Sequence, residues 1–226
     1  MNAQHHDSSA HPSWSFTDGR SMPVGTLYCI GRNYADHAAE MQASVPTDPI
    51  VFLKPPAALI PSGNTLVLPS WTSDVHHEVE CVVVLGQDLR DCNKHDAWSA
   101  IAGVGVGLDL TARDVQQRAK SAGHPWAVAK SWYGSAPVST IVPFEQSAQG
   151  PWDLRCSVNG ELRQNGSTAA MERSIPMLIQ YLASVFSLRR GDAIFTGTPA
   201  GVGPIRSGDL VVGELGTIAR VELHVG

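Results

Sequence analysis

Several features that define large classes of protein are missing from the sequence. Its 226 residues contain no basic run that could follow a phosphate backbone, and the formal net charge is −5, so nucleic acid is not an expected partner. No apolar stretch reaches the roughly 18 residues of a membrane-spanning helix, so no membrane partner is expected. Residues 1–12 are polar and have neither a basic region nor an apolar core, so we do not expect a signal peptide.

Cysteine is scarce, and its spacing gives no support to a paired-thiol site. The chain has four cysteines, none of which forms a Cys-x-x-Cys pair, and two of them lie in strongly apolar runs. Free thiols in a reducing compartment are the simplest interpretation, so we predict a cytoplasmic protein.

Two glycine-rich segments do not match nucleotide-binding fingerprints. The segment from Phe195 to Pro204 has no Gly-Lys-Ser/Thr ending, so it is not a P-loop. A rigid turn that offers N–H groups and the Thr198 hydroxyl to a small anion fits it better, although a plain tight turn has the same composition. Gly103-x-Gly105-x-Gly107 indicates a strand packed closely against a neighbour.

Short apolar runs broken by Gly and Pro dominate the chain. A hydrophobic content of 43% with 16% charged residues is typical of a globular protein. Asn159-Gly160 between two strand-like runs predicts a hairpin, because both turn positions need a positive φ. Strands are predicted at residues 27–30, 50–53, 65–68, 78–85, 104–110, 154–158, 193–196 and 217–225.

Helices are fewer. Ser174 is placed to cap a helix whose apolar positions follow one buried face as far as Phe186. Shorter helices are predicted at residues 34–41, 94–102 and 112–119. Many strands with a few helices predict an α+β, β-rich fold rather than a doubly wound sheet. We expect a flexible segment over residues 1–20 and a single domain over residues 21–226.

The most informative stretch is His76-His77-Glu78-Val79-Glu80, which runs into an apolar strand. Side chains alternate along a strand, so Glu78 and Glu80 are predicted to share a face. Two carboxylates about 6–7 Å apart beside an apolar strand repel each other and resist burial. A divalent cation would offset that repulsion, and an all-oxygen set suits Mg²⁺, Mn²⁺ or Ca²⁺ better than Zn²⁺.

A third carboxylate, Asp109, lies in another apolar run, where an acid is rarely idle. Two alternatives stay open from the pattern alone. The glutamates could lie on a solvated face while Asp109 caps a turn. A zinc site could use His76 or His77, but no second His or Cys lies at ligand spacing.

Three further groups are candidates for chemistry. His37 and Glu40 would share a helix face and could form an acid–base pair, or a plain surface ion pair. Lys130 and Lys54 lie among apolar residues, where each could neutralise a carboxylate or a developing oxyanion, or extend its ammonium to water.

Taken together, these segments resemble the fumarylacetoacetate hydrolase family, in its short single-domain form. The similarity runs from about Leu27 to the C-terminus, and its elements occur in the order of the family. They are Gly31-Arg32-Asn33-Tyr34 with His37 and Glu40, Phe52-Leu53-Lys54-Pro55, His77-Glu78-Val79-Glu80, Asp109 to Gln116, Lys130, Asn159 to Gln164 and Thr196 to Gly203.

The resemblance implies a mixed β-sheet roll with a few helices, assembled as a homodimer. It implies Mg²⁺ or Mn²⁺ held by the residues at Glu78, Glu80 and Asp109. It also implies a lid bearing His37 and Glu40 that activates a water. Substrate contacts are implied for Arg32, Gln116, Lys130 and Thr198. Two positions differ from the family pattern, namely Leu108 and the segment Ser131-Trp132-Tyr133, and the second is expected to change the pocket wall near Lys130.

From these observations we predict hydrolysis of a C–C bond in an acylpyruvate-type 2,4-dioxo acid, such as fumarylpyruvate. His37, oriented by Glu40, would deprotonate the attacking water, while the cation and Lys130 would stabilise the pyruvate enolate. An alternative uses the same enolate site for oxaloacetate decarboxylation, tautomerisation or isomerisation of a 2-oxo acid. A remote alternative is a non-catalytic protein that binds a 2-oxo acid.

Overall fold

Strands account for most of the regular structure. The computed structural model describes residues 11–145 and 149–226. In chain order the strands are β1 (Ser13–Ser15), β2 (Ser21–Pro23), β3 (Leu27–Gly31), β4 (Ile50–Lys54), β5 (Leu59–Pro61), β6 (Thr65–Leu66), β7 (Val75–His77), β8 (Val79–Leu85), β9 (Ile101–Leu108), β10 (Thr111–Ala112), β11 (Ala136–Val138), β12 (Val142–Pro143), β13 (Asp153–Val158), β14 (Glu161–Ser167), β15 (Ala193–Phe195), β16 (Gly203–Ile205), β17 (Leu210–Leu215) and β18 (Ala219–Val225).

Helices are short and connect the strands. Within the described residues they are α1 (Ala35–Glu40), α2 (Lys94–Ser99), α3 (Arg113–Ala122), α4 (Ala127–Lys130) and α5 (Ile175–Phe186), with single 3₁₀ turns at Pro56–Ala58 and Thr168–Ala170. None of the helices in this part of the chain is long and apolar enough to cross a membrane.

Two large sheets form the body of the fold. The eight-stranded sheet has the order β4-β3-β15-β8-β9-β11-β5, with β12 also paired to β9. Its β15–β3 and β11–β5 pairs are parallel and its other pairs antiparallel, so the sheet is mixed. The five-stranded sheet has the order β14-β13-β17-β18-β6, and a smaller sheet joins β10, β7 and β16. The predicted α+β, strand-rich class is confirmed.

Strand β8 is buried along its whole length because it packs on both faces. Cys81 and Val83 contribute to the larger apolar cluster, while Val82 and Val84 contribute to the second. Since side chains alternate, Glu80 lies on the same face as Val82 and Val84. The sheet therefore carries an acidic side chain into the interior at one end of an apolar strand.

Several local predictions are confirmed and others need correction. The Asn159-Gly160 hairpin joins β13 to β14, with φ of 52° and 81° at the two turn residues. Ser174 precedes α5 as predicted, but its side chain makes no capping hydrogen bond. The predicted strand over residues 78–85 begins one residue later, because Glu78 falls at the break between β7 and β8. Strand β17 was not predicted.

The N-terminal segment contains a short strand. Residues 1–20 were expected to be a flexible segment, yet β1 lies within it and pairs antiparallel with β2. Trp14 of β1 is buried, belongs to the second apolar cluster and donates its indole N–H to the Gly191 carbonyl at 2.7 Å. A large indole with a satisfied polar group anchors this strand, so the folded domain includes it. Residues 1–10 lie outside the described residues.

Trp14→Ala should therefore destabilise the protein by about 3–5 kcal/mol, because it leaves a cavity in the second cluster. Trp71→Ala is a matched control, since that indole is 47% exposed and should cost far less. Chemical denaturation of both variants in the same buffer measures the two changes. Equal free energies of unfolding for Trp14→Ala and the parent would show that β1 does not anchor to the core.

Candidate metal and substrate site

Three carboxylates converge where the central strands end. Glu78 lies at the break between β7 and β8, Glu80 within β8, and Asp109 directly after β9. The Asp109 N–H donates to the Glu78 carbonyl at 2.8 Å, which fixes the two chain segments together. One oxygen from each carboxylate lies within 4.8 Å of the others, and all three residues are buried. The convergence expected from the sequence is present.

Part of this negative charge is offset by the protein's own cations. The Lys130 ammonium donates to Glu78 Oε2 at 2.7 Å and also to Asp109 Oδ2. Arg113 donates to Glu78 Oε1. Burial opposes the ionisation of Glu78, but Lys130 and Arg113 outweigh it and hold the pKa of that carboxyl well below its usual range. Of the alternatives left open for Lys130, neutralisation of a carboxylate is the one that this geometry supports.

Glu80 is the carboxylate without a cationic partner among the described residues. Its Oε2 accepts the Gly197 N–H at 2.8 Å, the one hydrogen bond that its side chain makes there. Burial and the neighbouring carboxylates of Asp109 and Glu78 raise the pKa of Glu80 well above its usual range. A negative charge on Glu80 thus requires a positive charge that the described side chains do not provide.

Lys54 holds the opposite side of Asp109. Its ammonium is 2.9 Å from Asp109 Oδ1, and it donates to the Ser135 carbonyl at 3.0 Å, to Ser135 Oγ at 2.9 Å and to the Lys130 carbonyl. The approach to Asp109 Oδ1 is close in distance but not aligned as a hydrogen bond, so this buried oxygen accepts none within the described part of the chain. The interpretation of Lys54 as a snorkelling side chain is wrong, since it is fully buried.

These observations fit a divalent cation. Glu80 is an unpaired carboxylate, and Asp109 Oδ1 is a buried oxygen without a hydrogen bond. Mg²⁺ or Mn²⁺ would satisfy both and prefers oxygen ligands, and Glu78, Glu80 and Asp109 are the residues that would hold it. The zinc alternative has no geometric support. His77 Nδ1 faces Gln164 Oε1 at 2.9 Å, and His76 Nε2 faces Asp74 at 3.0 Å.

Helix α1 brings an acid–base pair to the same pocket. His37 Nδ1 lies 3.2 Å from Glu40 Oε2, and the imidazole is buried. Glu40 in turn accepts the Gly201 N–H at 3.1 Å, which ties α1 to the glycine-rich loop. His37 Nε2 has no hydrogen-bond partner among the described residues. The surface ion pair considered from sequence does not describe His37, because only Glu40 is substantially exposed.

The glycine-rich loop supports the site through its backbone. Gly197 has φ of +98°, a conformation that favours glycine, and its N–H is directed at Glu80. Its N–H and that of Gly201 are both taken by protein carboxylates, so the loop differs from the expected cradle for a small anion. Thr198 Oγ1 accepts a hydrogen bond at 2.8 Å from Gln164 Nε2.

Gln164 is a supporting residue to which the sequence analysis gave no role. It is fully buried, and its Oε1 accepts the Val79 N–H at 3.0 Å while its Nε2 donates to Thr198 Oγ1 and to the Pro199 carbonyl. It therefore connects the start of β8 to the loop that carries Thr198. In the sequence it is only a polar residue three positions after the start of β14, and its burial cannot be inferred from that position.

One pocket collects the candidate residues. Of the nine site residues predicted from sequence, all but Glu40 line it, and Glu40 lines the adjoining cavity. The pocket volume is about 30 Å³, and the adjoining cavity is about 460 Å³. Residues 131–133 are not among the described residues that line the pocket, and Tyr133 is exposed. The expected change of the pocket wall near Lys130 stays a prediction.

Glu80→Gln should leave the metal-free protein at least as stable as the parent and abolish stabilisation by Mn²⁺. Because its pKa is raised, Glu80 retains a proton in the folded protein that the unfolded chain releases. The stability of the parent therefore falls as pH rises above 4.5, the ordinary pKa of a glutamate, and the stability of Glu80→Gln relative to the parent increases with pH. Thermal unfolding with and without Mn²⁺ measures both effects. Glu161→Gln, at a 69% exposed carboxylate, is the control. A retained Mn²⁺ shift in Glu80→Gln would contradict the assignment.

Lys54→Met should destabilise the metal-free protein by about 3–5 kcal/mol, because it leaves a buried carboxylate and several carbonyls without their cation. Lys94→Met removes the same charge from an exposed position at the start of α2 and should cost little. Urea denaturation followed by circular dichroism measures the difference. Similar losses for the two variants would mean that Lys54 does not stabilise Asp109.

Comparisons with known proteins agree on one family. A family model described as "Fumarylacetoacetate (FAA) hydrolase C-terminal" matches residues 26–226. The mitochondrial oxaloacetate tautomerase of Bos taurus is 46% identical over 201 residues, which cover 88% of this chain and 90% of that protein. The oxaloacetate tautomerase of Escherichia coli K12 is 47% identical over 189 residues, covering 83% of this chain and 86% of that protein.

Solved structures give the same result. Fumarylpyruvate hydrolase from Pseudomonas aeruginosa, in complex with Mn²⁺ and pyruvate, has a TM-score of 0.92 and 33% identity over 99% of each chain. A 5-carboxymethyl-2-hydroxymuconate delta-isomerase from Mycobacterium smegmatis has a TM-score of 0.79 and 33% identity, covering 92% of this chain and 85% of that one. With its sequence match, its fold and its acidic cluster in agreement, this chain belongs to the fumarylacetoacetate hydrolase family.

Proposed function

We propose that this protein is a divalent-metal-dependent tautomerase that interconverts the enol and keto forms of oxaloacetate. The observation that carries the proposal is the convergence of Glu78, Glu80 and Asp109 in the same pocket as His37. The relatives with 46% and 47% identity are oxaloacetate tautomerases. The comparisons thus support the alternative considered from sequence better than the hydrolysis that the sequence analysis favoured.

The metal and the cations around it would serve enolate chemistry. Mg²⁺ or Mn²⁺ held by the three carboxylates would act as a Lewis acid for the 2-oxo group and its neighbouring carboxylate. The Lys130 ammonium lines the pocket, and although burial opposes its charge, Asp109 and Glu78 raise its pKa. It therefore stays protonated and can donate a hydrogen bond to an enolate oxygen.

His37 is suited to move the proton. Tautomerisation removes a proton from the carbon next to the 2-oxo group and delivers one to the oxygen, or the reverse. Glu40 engages Nδ1 and fixes the ring orientation, which leaves Nε2 to exchange the proton with the substrate. Gln116, Thr198 and Arg32 line the same pocket and are the residues that we propose to contact the substrate.

Hydrolysis of an acylpyruvate is the second candidate. The fumarylpyruvate hydrolase structure with Mn²⁺ and pyruvate matches the chain over nearly its whole length. The His37–Glu40 pair could equally deprotonate a water, which would then attack the distal carbonyl. The two reactions share the enolate and differ in whether a water enters. The homodimer implied by the family resemblance stays a prediction.

His37→Gln should lower metal-dependent tautomerisation of enol-oxaloacetate by about 100-fold or more, the contribution typical of a positioned acid–base group. Mn²⁺ binding, followed by the thermal shift, should be retained because His37 is not a metal-site residue. His224→Gln, at an exposed histidine of β18, is the matched control. Reactions with metal but no protein give the background rate.

The same preparation separates the competing activities when products are measured. Unchanged mass with loss of the enol signal supports tautomerisation. Formation of pyruvate and a carboxylic acid from fumarylpyruvate or acetylpyruvate, with tautomerisation no faster than the background rate, would show that the protein is a hydrolase and not a tautomerase. Release of CO₂ from oxaloacetate would indicate decarboxylation. Unchanged substrate with both Mg²⁺ and Mn²⁺ would favour a non-catalytic binding protein.

A further inference from the structure

Two cations line the pocket without an acidic partner. Arg32 and Lys120 make no ion pair and no side-chain hydrogen bond with any described residue, and both line the pocket. In contrast, Lys130 and Arg113 of the same pocket are engaged by the buried carboxylates. The pocket therefore contains two cations that none of its carboxylates engages in an ion pair.

The backbone at Arg32 adds a second observation. Arg32 directly follows β3 and has φ of 57°, a left-handed conformation that is uncommon for residues other than glycine. Such a conformation costs free energy; it occurs at turns, as at Asn159 of this chain, and it also clusters at ligand-binding sites. Here the chain turns at the end of a buried strand, and the guanidinium lines the pocket.

Lys120 connects the enclosed pocket to the larger cavity beside it. It lies in the last turn of α3 and lines both spaces, together with Arg113 and Gln116. Its ammonium lies 5.2 Å from the centre of the Trp126 ring, which holds an otherwise exposed side chain over the pocket mouth. Partial desolvation of the ammonium and the positive charges of Arg113 and Arg32 lower the pKa of Lys120, while the charge of Glu78 acts in the opposite direction.

We propose that Lys120, with Arg32, binds the second carboxylate of a dicarboxylic 2-oxo acid and gives the enzyme its preference for dicarboxylates. This assignment rests on the proposed function, because it takes the 2-oxo end of the substrate to lie at the three carboxylates. The distal carboxylate of a four-carbon acid would then point toward the unpaired cations. Lys120 is a specificity-determining residue rather than one that moves a proton.

Two ligands isolate this interaction. Oxaloacetate and 2-oxobutanoate share the 2-oxo acid and the chain length, and they differ in having a carboxylate or a methyl group at the far end. With Mn²⁺ bound, the parent should bind oxaloacetate more tightly. Lys120→Met should weaken oxaloacetate binding about tenfold, the lower end for a hydrogen bond to a charged group, and leave 2-oxobutanoate unchanged.

Kinetics provide the second readout. In Lys120→Met the KM for enol-oxaloacetate should rise about tenfold with little change in kcat, because the lost contact is made equally in the ground and transition states. Lys120→Arg should restore most of the affinity. Arg118→Met removes a charge from the same helix at a 65% exposed position and should change neither ligand's affinity.

The outcomes separate this inference from the proposed function. Equal weakening of both ligands, or of neither, by Lys120→Met would overturn the role of Lys120 whatever reaction the protein catalyses. Lys120→Met could selectively weaken oxaloacetate binding while the parent protein fails to tautomerise oxaloacetate. That outcome would support the dicarboxylate site and contradict the proposed tautomerase activity.

Discussion

The unequal compensation of three buried carboxylates governs the rest of the structure. Glu78 and Asp109 are met by protein cations, whereas Glu80 receives one backbone N–H and carries the strongest penalty for ionisation. A buried charge without a partner is among the most costly features that a fold can retain. Glu80 therefore keeps its proton in the metal-free protein, and a bound divalent cation would offset the cost of its ionisation.

The surrounding elements are arranged to keep that imbalance in place. Lys54 fixes Asp109 and the backbone that carries Lys130, while Gln164 ties the start of β8 to the loop that carries Thr198. Both side chains are fully buried, so neither can relax into water. The metal side of the site is consequently buried, whereas Glu40 of α1 and Lys120 of α3 contact solvent.

How much of this could be predicted from sequence depended on whether the signal was local. Strand alternation placed Glu80 beside Val82 and Val84 on one face, and Asn159-Gly160 marked a hairpin because its φ requirement is local. Lys54 looked like a snorkelling lysine, because the carbonyls that surround it come from residues about 56–81 positions away. Trp14 was assigned to a flexible tail for the same reason, since its partner Gly191 lies 177 residues along the chain.

The charge pattern of the pocket also explains why one scaffold can support related reactions. In the proposed function the metal side stabilises an enolate, an intermediate that tautomerisation, decarboxylation and acylpyruvate hydrolysis share. The reaction that occurs then depends on which substrates and waters the rest of the pocket can accommodate. A pocket volume of about 30 Å³ leaves room for an ion or one or two waters, and the adjoining cavity of about 460 Å³ offers the space for a four-carbon acid. The cations at that junction favour a second carboxylate, and a substrate that fills the junction with its own charge leaves less room for a hydrolytic water.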